Sequence, residues 1–352
     1  MNRSVVRWVP AVVAAVAIAS VAIAVPVAAN AAANLPTKTP QQVLELVGQS
    51  SVKDFSGTLE QSSKLGLPEL PSTGAGSSSS ASSALSVLVG SYTARVYVDG
   101  ATKTRFQIMD KLAERDVIKN GSDVWLYDSS AKTATHATLP AHQGSKPGAA
   151  TPGTEQTPGE LAKRFLAAVD SSTTVSVGPD ARIAGRTAYD LVLKPRASDT
   201  LISSVSIAVD SQTGLPLSID LFARGQKDAA FSLAFSALTL QAPSANLFDF
   251  TPPKGVTVKQ QAVPQQSELK KPTGSAPQHG VVGTGWDAVL AVPASTEITK
   301  LTSSSMFAQL TTATAGGRLL HTALVNVYFA SDGRVFAGSV PAARLEAVAA
   351  AK

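Results

Sequence analysis

Runs of alternating apolar and polar residues, joined by very short turns, recur through most of this sequence. Residues 92–98 alternate in this way, and Asp99-Gly100 follows at once as a turn before the chain returns over 105–109. Asn120-Gly121, a strong hairpin signal, stands between the runs 112–118 and 124–127. Because parallel strands need long crossover connections, such short turns predict an antiparallel meander.

A second series of strands with the same character follows further along the chain. Its turns are 210–214 and 224–226, both of which contain glycine. The predicted strands of this series are 173–177, 182–183, 188–194, 205–210, 217–223 and 230–240.

Two amphipathic helices accompany these strands. The first is predicted to begin at Pro40, and the second at Pro158, because proline is well suited to the first position of a helix. Thr157 and Glu160 form the pattern of a capping box at the second helix. The helix residues predicted to face the sheet are Val43, Leu44, Leu161 and Phe165.

These elements predict an α+β fold that is mainly antiparallel: one twisted sheet that curls and is covered on one face by helices. Two helices cover a large sheet only in part, so the rest of its apolar face is either packed solid or borders a cavity. The residues predicted to lie on this face, as candidates for the cavity lining, are Trp125, Tyr127, Leu191, Leu193, Ile207, Ile219, Leu221, Phe231, Leu233 and Phe235.

The composition excludes several classes of chemistry. The chain has no cysteine and only four histidines, each in a different segment, so disulfides, thiolate zinc sites and a cysteine nucleophile are ruled out. A formal net charge of +5, part of it from Arg3 and Arg7, is too small to indicate nucleic-acid binding. No G-x-S-x-G elbow or phosphate-binding glycine motif occurs. We therefore predict no enzyme activity, no metal and no cofactor.

The first 33 residues have the pattern of an export signal. Arg3 and Arg7 form a positive start, residues 8–27 are almost entirely apolar, and Ala29-Asn30-Ala31 is a cleavage site of the A-x-A kind. The general secretory route is indicated, because the two arginines are not adjacent. The alternative is an uncleaved membrane anchor, since the apolar run is just long enough to span a bilayer. Either interpretation predicts an extracytoplasmic protein.

The rest of the chain is predicted to consist of a main domain over 34–260, a linker over 261–280 and a C-terminal appendage over 281–352. The main domain contains a Ser-rich loop at 71–83 and a Pro/Gly-rich loop at 142–157. In the appendage we predict strands over 286–292, 319–329 and 335–340, with helices near 304–310 and 342–349. The pattern leaves open whether the appendage packs on the main sheet.

Four short motifs in this order resemble the LolA-like and RseB-like lipoprotein carrier superfamily, and in part its actinobacterial members. Residues 120–128 (NGSDVWLYD) resemble a hairpin of LolA, and 189–195 (YDLVLKP) resemble a later strand. Residues 209–217 are similar to a turn in actinobacterial relatives and in the sigma-factor regulator RseB. Residues 248–256 (FDFTPPKGV) resemble the motif that ends the domain.

The resemblance implies an unclosed β-barrel in which helices form a lid over a hydrophobic cavity. It implies an extracytoplasmic carrier that holds the acyl chains of a lipid or lipoprotein, with a membrane transporter as a further partner. The RseB-like alternative is a regulatory protein that binds the ectodomain of a membrane-bound anti-sigma factor. A purely structural secreted domain is the third interpretation. Residues 98–102 lack the arginine that helps hold the lid of the LolA carrier closed.

Overall fold

The computed structural model describes residues 35–66, 90–110, 113–139, 157–167, 169–261, 280–303 and 305–351. The predicted export signal, the Ser-rich loop, and nearly all of the Pro/Gly-rich loop and of the linker lie outside these residues. The described chain forms a 13-stranded sheet and a six-stranded sheet.

The first six strands of the large sheet form the antiparallel meander that the alternating pattern predicts. Gly100 and Gly121, with φ angles of 62° and 64°, occupy the two tight turns that the sequence marks. The strands are β1 (Asp54–Ser63), β2 (Tyr92–Asp99), β3 (Lys103–Asp110), β4 (Ala113–Asn120), β5 (Asp123–Asp128) and β6 (Thr133–Thr138).

The second half of the large sheet adds β7 (Thr173–Val177), β8 (Ala181–Ile183), β9 (Arg186–Pro195), β10 (Ile202–Asp210), β11 (Pro216–Ala223), β12 (Ala229–Thr239) and β13 (Thr257–Gln261). The strand order is β13-β6-β5-β4-β3-β2-β1-β12-β11-β10-β9-β7, with β8 paired to β9. Among these described strands, the end strands β13 and β7 do not pair with each other, so the predicted unclosed, mainly antiparallel sheet is confirmed. The sequence did not predict β13, which pairs with β6 in parallel.

One face of this sheet is almost continuously apolar in β9–β12. Leu191 stands opposite Ile207, Ile207 opposite Ile219, and Ile219 opposite Leu233. Residues that stand opposite each other on antiparallel strands share a face of the sheet. All four side chains are buried. We call this side of the sheet the inner face and the other side the outer face.

The inner face continues through β1 into the first half of the sheet. Leu59 of β1 stands opposite Phe235 of β12, and both are buried. The register of β2–β5 places Phe106, Val117 and Leu126 on the same side, each opposite the next. The nine strands from β5 to β9 in the sheet order thus share one inner face.

Two helices, α1 (Pro40–Gly48) and α2 (Pro158–Ala167), lie against the inner face, as predicted. Thr39 caps α1, because the Gln42 N–H donates to its hydroxyl while its own N–H donates to the Gln42 side chain. Thr157 and Glu160 make the equivalent pair of hydrogen bonds at α2. Both helices therefore begin where the sequence predicts.

Residues 280–351, which we call the C-terminal module, contain the second sheet. Its strands are β14 (Gly280–Val282), β15 (Val289–Val292), β16 (Thr312–Thr314), β17 (Gly317–His321), β18 (Asn326–Ala330) and β19 (Val335–Gly338), in the order β14-β15-β19-β18-β17-β16. Helices α3 (Thr296–Thr302) and α4 (Ser305–Leu310) precede β16, and α5 (Ala342–Ala350) ends the module. The module has its own small core, in which α5 packs on β18 and β19.

The structure corrects two expectations for this module and adds one helix. Residues 319–329 form a hairpin rather than one strand, because Thr322 and Val325 hydrogen-bond to each other and turn the chain. Trp286 lies in a 3₁₀ turn, Gly285–Asp287, before the strand that was predicted to contain it. Helix α3 was not predicted.

The C-terminal module packs on one end of the large sheet. The Leu201 N–H donates to the Ser339 carbonyl at 2.7 Å, and the Ala323 N–H donates to the Leu65 carbonyl at 2.9 Å. Leu324 is buried in the apolar core of the large sheet. Since Leu65 follows β1 and Leu201 precedes β10, these contacts lie at the end of the sheet where β1 ends and β10 begins.

Trp286 adds a further contact at this end. Its indole N–H donates to the Thr173 hydroxyl at 2.8 Å, at the start of β7. Its ring stacks on Phe165 of α2 with a centroid distance of 6.4 Å. The module is therefore joined to the large sheet and to the helix that covers it.

Candidate functional site

A cavity of about 980 Å³ lies between the two helices and the inner face of β1–β5. Its size is at the upper end of the range typical of ligand-binding pockets. Most of its lining is apolar: Leu44, Val47, Val52, Phe55, Val98, Phe106, Val117, Val124, Leu126, Leu139, Leu166, Leu215 and Phe235.

The cavity lies at the end of the sheet opposite the C-terminal module. Phe55 is at the start of β1, Val98 near the end of β2, and Thr104 near the start of β3. Lys119 and Val124 flank the turn between β4 and β5. The module thus occupies one end of the curved sheet, while the cavity occupies the other.

Aromatic rings form the buried floor of the cavity. Phe55 and Phe235 pack edge to face with their centroids 5.9 Å apart, and Phe106 is buried on β3. Gly57 makes this packing possible, because a Cβ atom there would lie only 2.9 Å from the Phe235 ring and 2.6 Å from the Ala237 carbonyl oxygen. Because Gly57 has no side chain, the Phe235 ring has room to pack over β1.

Helix α1 is held in place by the turn between β10 and β11. Gly214 of this turn has a φ angle of 71°, and a Cβ atom there would lie 2.0 Å from the carbonyl oxygen of Leu46. Asp210 stabilises this β10–β11 turn. Its buried carboxylate accepts two hydrogen bonds from the Arg186 guanidinium, at 2.8 and 3.0 Å. This ion pair was not predicted from the sequence, although 209–217 is one of the four motifs that resemble known proteins.

The rim of the cavity combines an exposed apolar side chain with charged groups. Leu126 has 46% of its surface exposed, although it points to the inner face. Lys119, Lys163 and Glu160 also belong to the lining. The Glu160 carboxylate accepts the Thr157 N–H at 3.1 Å as part of the helix cap. This arrangement can bury apolar groups beside a rim that carries two cations.

The structure places the predicted site residues in three groups. Phe235 and Leu44 belong to the cavity lining. Val43 is buried in the core, while Leu161 and Phe165 pack against that core from α2. The remaining inner-face candidates, which are part of the filled core of the sheet and not of the cavity lining, are Leu191, Leu193, Ile207, Ile219, Leu221, Phe231 and Leu233.

Trp125 and Tyr127 form the third group, which lies on the outer face. Their centroids are 5.3 and 5.5 Å from the Phe250 ring, and Trp125 also stacks on His136. Their neighbours Val124 and Leu126 line the cavity instead. Both faces of β5 carry apolar residues, so alternation alone does not show which face is the inner one. The aromatic motif at 248–250 was the sequence feature that could have indicated the outer face, because its rings need an apolar surface to pack on.

The outer face of β3–β5 is covered by the segment 245–250. Phe248 and Ile118 are 1% exposed, and the Arg105 guanidinium donates both to the Leu247 carbonyl and to the buried Asp116 carboxylate. Burial raises the pKa of Asp116 to about 6, against the opposing effect of the Arg105 charge. This part of the sheet is therefore packed from the side opposite the cavity.

Within the described ranges, no group of three or more histidine, aspartate or glutamate side chains is placed to hold a metal ion. In the same part of the chain, no helix has the length and apolar character required to cross a membrane.

No protein-family model and no curated protein matches the sequence. Among solved structures, MucB from the Pseudomonas aeruginosa MucA/MucB complex is 17% identical, with a TM-score of 0.44 over 88% of this chain and 96% of that one. An uncharacterized conserved protein from Thermus thermophilus is 10% identical, with a TM-score of 0.36 over 63% and 98%.

A LolA superfamily protein from Nitrosomonas europaea is 12% identical, with a TM-score of 0.23 over 61% of this chain and 99% of that one. At scores of this size, function has to be inferred from the cavity itself. The solved structures that are similar to this chain include MucB and a protein of the LolA superfamily, which its motifs resemble.

Proposed function

We propose that this protein is a non-enzymatic extracytoplasmic carrier that holds the acyl chains of a lipid or lipoprotein in its cavity. The supporting observation is the difference along one apolar face: in β9–β12 it is filled by the protein's own residues, whereas in β2–β5 part of it borders a cavity of about 980 Å³ that no described residue fills. An apolar surface without a protein partner is suited to an apolar guest.

The energetics of such a site are sufficient for binding without polar chemistry. Burial of each methylene group contributes about 0.8 kcal/mol, so ten methylenes contribute about 8 kcal/mol before the cost of association. The phenylalanines of the floor and the valines of β2, β4 and β5 provide the surface for these contacts. The observed lining thus fits an extended hydrocarbon chain.

A bulky substitution inside the cavity tests this function. Val117→Trp should fill space against Phe106 and Leu126, which stand opposite it on β3 and β5. We expect native mass spectrometry to detect co-purifying lipid on the unmodified protein and much less on this variant, and titration with a fluorescent fatty acid to show the same loss.

Val258→Trp is the matched control, because Val258 is exposed on β13 and is not part of the cavity lining. It should bind fatty acid like the unmodified protein. Absence of lipid and of fatty-acid binding in the unmodified protein would reject the carrier function and favour a purely structural role. Equal binding by both tryptophan variants would show that the ligand lies elsewhere.

The regulatory alternative stays a prediction. The MucB structure is a complex with a protein partner, whereas the lining found here is chemically suited to hydrocarbon. A pull-down with an anti-sigma factor ectodomain that recovers a stoichiometric complex, together with an empty cavity, would favour regulation over transport.

A further inference from the structure

Lys119 is a cation built into the apolar wall of the cavity. It stands between Thr104 on β3 and Val124 on β5 in the register of the sheet, and both of these residues also line the cavity. The lysine is half-buried, and its ammonium donates to the Ala101 carbonyl at 3.3 Å. An ammonium has three donors, so this contact leaves two for a ligand.

Lys163 reaches the same cavity from the other side. It lies on α2 at a spacing of three residues from both Glu160 and Leu166, so the three side chains share the helix face that borders the cavity. It is exposed, as expected for a residue at the rim. The sheet and the helix thus each contribute one lysine to one opening.

The charges around the rim compensate these two lysines only in part. Among the described residues, neither is in an ion pair, whereas the neighbouring Lys103 is paired with Asp99 at 3.1 Å. Glu160 is the carboxylate of the lining, and its charge is engaged in capping α2. The described lining therefore carries a net charge of +1. A cation in an apolar wall is favourable when a ligand supplies the opposite charge.

We infer that the cavity selects amphiphiles with an anionic headgroup, a carboxylate or a phosphate, which Lys119 and Lys163 hold at the rim. The inference rests on the proposed function and specifies its ligand class. The orientation of the ligand follows from the fold, because the C-terminal module occupies the end of the sheet opposite the cavity and the two lysines border the opening of the cavity. The hydrocarbon tail therefore enters first and lies over the phenylalanine floor, with the headgroup at the opening.

The experiment compares ligands that share a tail and differ in headgroup charge. Binding of oleate, hexadecyl phosphate and oleyl alcohol is measured by calorimetry at pH 8, and inorganic phosphate is titrated separately. We expect oleate and hexadecyl phosphate to bind more tightly than oleyl alcohol, and inorganic phosphate not to bind. In the Lys119→Gln, Lys163→Gln double variant, oleate affinity should fall about ten-fold while oleyl alcohol affinity is unchanged.

The double variant Lys194→Gln, Lys227→Gln is the matched control. It makes the same change in net charge with two exposed lysines at the opposite end of the sheet, and it should bind oleate normally. Equal affinity of the unmodified protein for oleate and oleyl alcohol, or an equal loss in both double variants, would overturn the headgroup assignment but leave the carrier function standing. If none of the amphiphiles binds, the carrier function fails with it. Binding of inorganic phosphate alone would reassign the lysines to a free-anion site.

Discussion

Two regions of the large sheet carry the same apolar inner face but are packed in different ways. In the filled half, β9–β12, residues such as Leu191 and Ile207 are completely buried beneath the helices and the contacts of the C-terminal module. In the hollow half, β2–β5, Val117 is only half-buried and Leu126 is 46% exposed. The difference separates the residues that stabilise the fold from those that are free to contact a ligand.

The hollow half is stabilised from its other side. Phe248 is buried against the outer face, and the Arg105 guanidinium joins the covering segment 245–250 to Asp116. Because this packing lies behind the sheet, β3–β5 keep their position although no described residue covers part of their inner face. A cavity in a curved sheet can thus be stabilised by a core on its outer face.

Leucine-to-alanine substitutions in the two halves should give the largest difference in stability and are therefore the strongest test of this comparison. Leu191→Ala removes a completely buried side chain and should lower the free energy of unfolding by about 3–5 kcal/mol. Leu126→Ala should lower it by less than about 1 kcal/mol, because its side chain is partly in solvent. Urea denaturation followed by tryptophan fluorescence measures both.

Fatty-acid binding should show the reverse order. Leu126→Ala removes a lining contact and should weaken binding about five-fold. Leu191→Ala, measured where the variant is fully folded, should leave the affinity unchanged. Similar losses of stability for the two variants would mean that the halves are packed alike, and the distinction between them would be wrong.

The sequence predicts the sheet well, because its determinants are local. Alternation and the turns at Gly100 and Gly121 define the meander, and the capping residues define where α1 and α2 begin. Strand β13 could not be predicted in the same way. Its five residues are all exposed, so no apolar pattern marks it, and its pairing with β6 connects residues far apart in the chain.

The candidate site was less predictable than the sheet, because a cavity forms where neighbouring elements leave part of an apolar surface uncovered. The strand pairings place Leu191 and Val117 on the same face. Alternation in the sequence predicts neither this shared face nor which of the two residues the helices and the C-terminal module cover. The choice depends on tertiary contacts such as the close approach of Gly214 to Leu46. For Trp125, it depends on the packing of Phe250 behind the sheet.

A second prediction concerns pH and sharpens the role of the outer face. Burial raises the pKa of Asp116 from 3.8 to about 6, so the folded protein keeps this proton over a pH range in which the unfolded chain has released it. Stability from this group is therefore greatest below pH 4, falls as the pH rises to about 6 and is constant above. Two pKa units correspond to about 3 kcal/mol.

Asp116→Asn isolates this contribution, because asparagine does not titrate. The fall in unfolding free energy between pH 4 and pH 7 should be smaller in the variant by about 2 kcal/mol, as measured by urea denaturation at each pH, because the unfolded carboxyl is already partly ionised at pH 4. The buried Asp190 and Asp220, whose pKa values are also raised by burial, remain in both proteins and cancel in the difference. An unchanged pH profile would show that Asp116 titrates as an exposed carboxyl does.

A small effect is expected at helix α1, which contacts both halves. Its Val43 is buried in the core, while Leu44 borders the cavity. Thr39→Ala removes the hydroxyl that accepts the Gln42 N–H, and should destabilise the protein by about 1 kcal/mol. Because the loosened helix forms one wall of the cavity, a fluorescent fatty acid should dissociate faster in stopped-flow measurements. Thr39→Ser keeps the hydroxyl and should restore both properties; if the serine variant behaves like alanine, the cap is not what holds this wall in place.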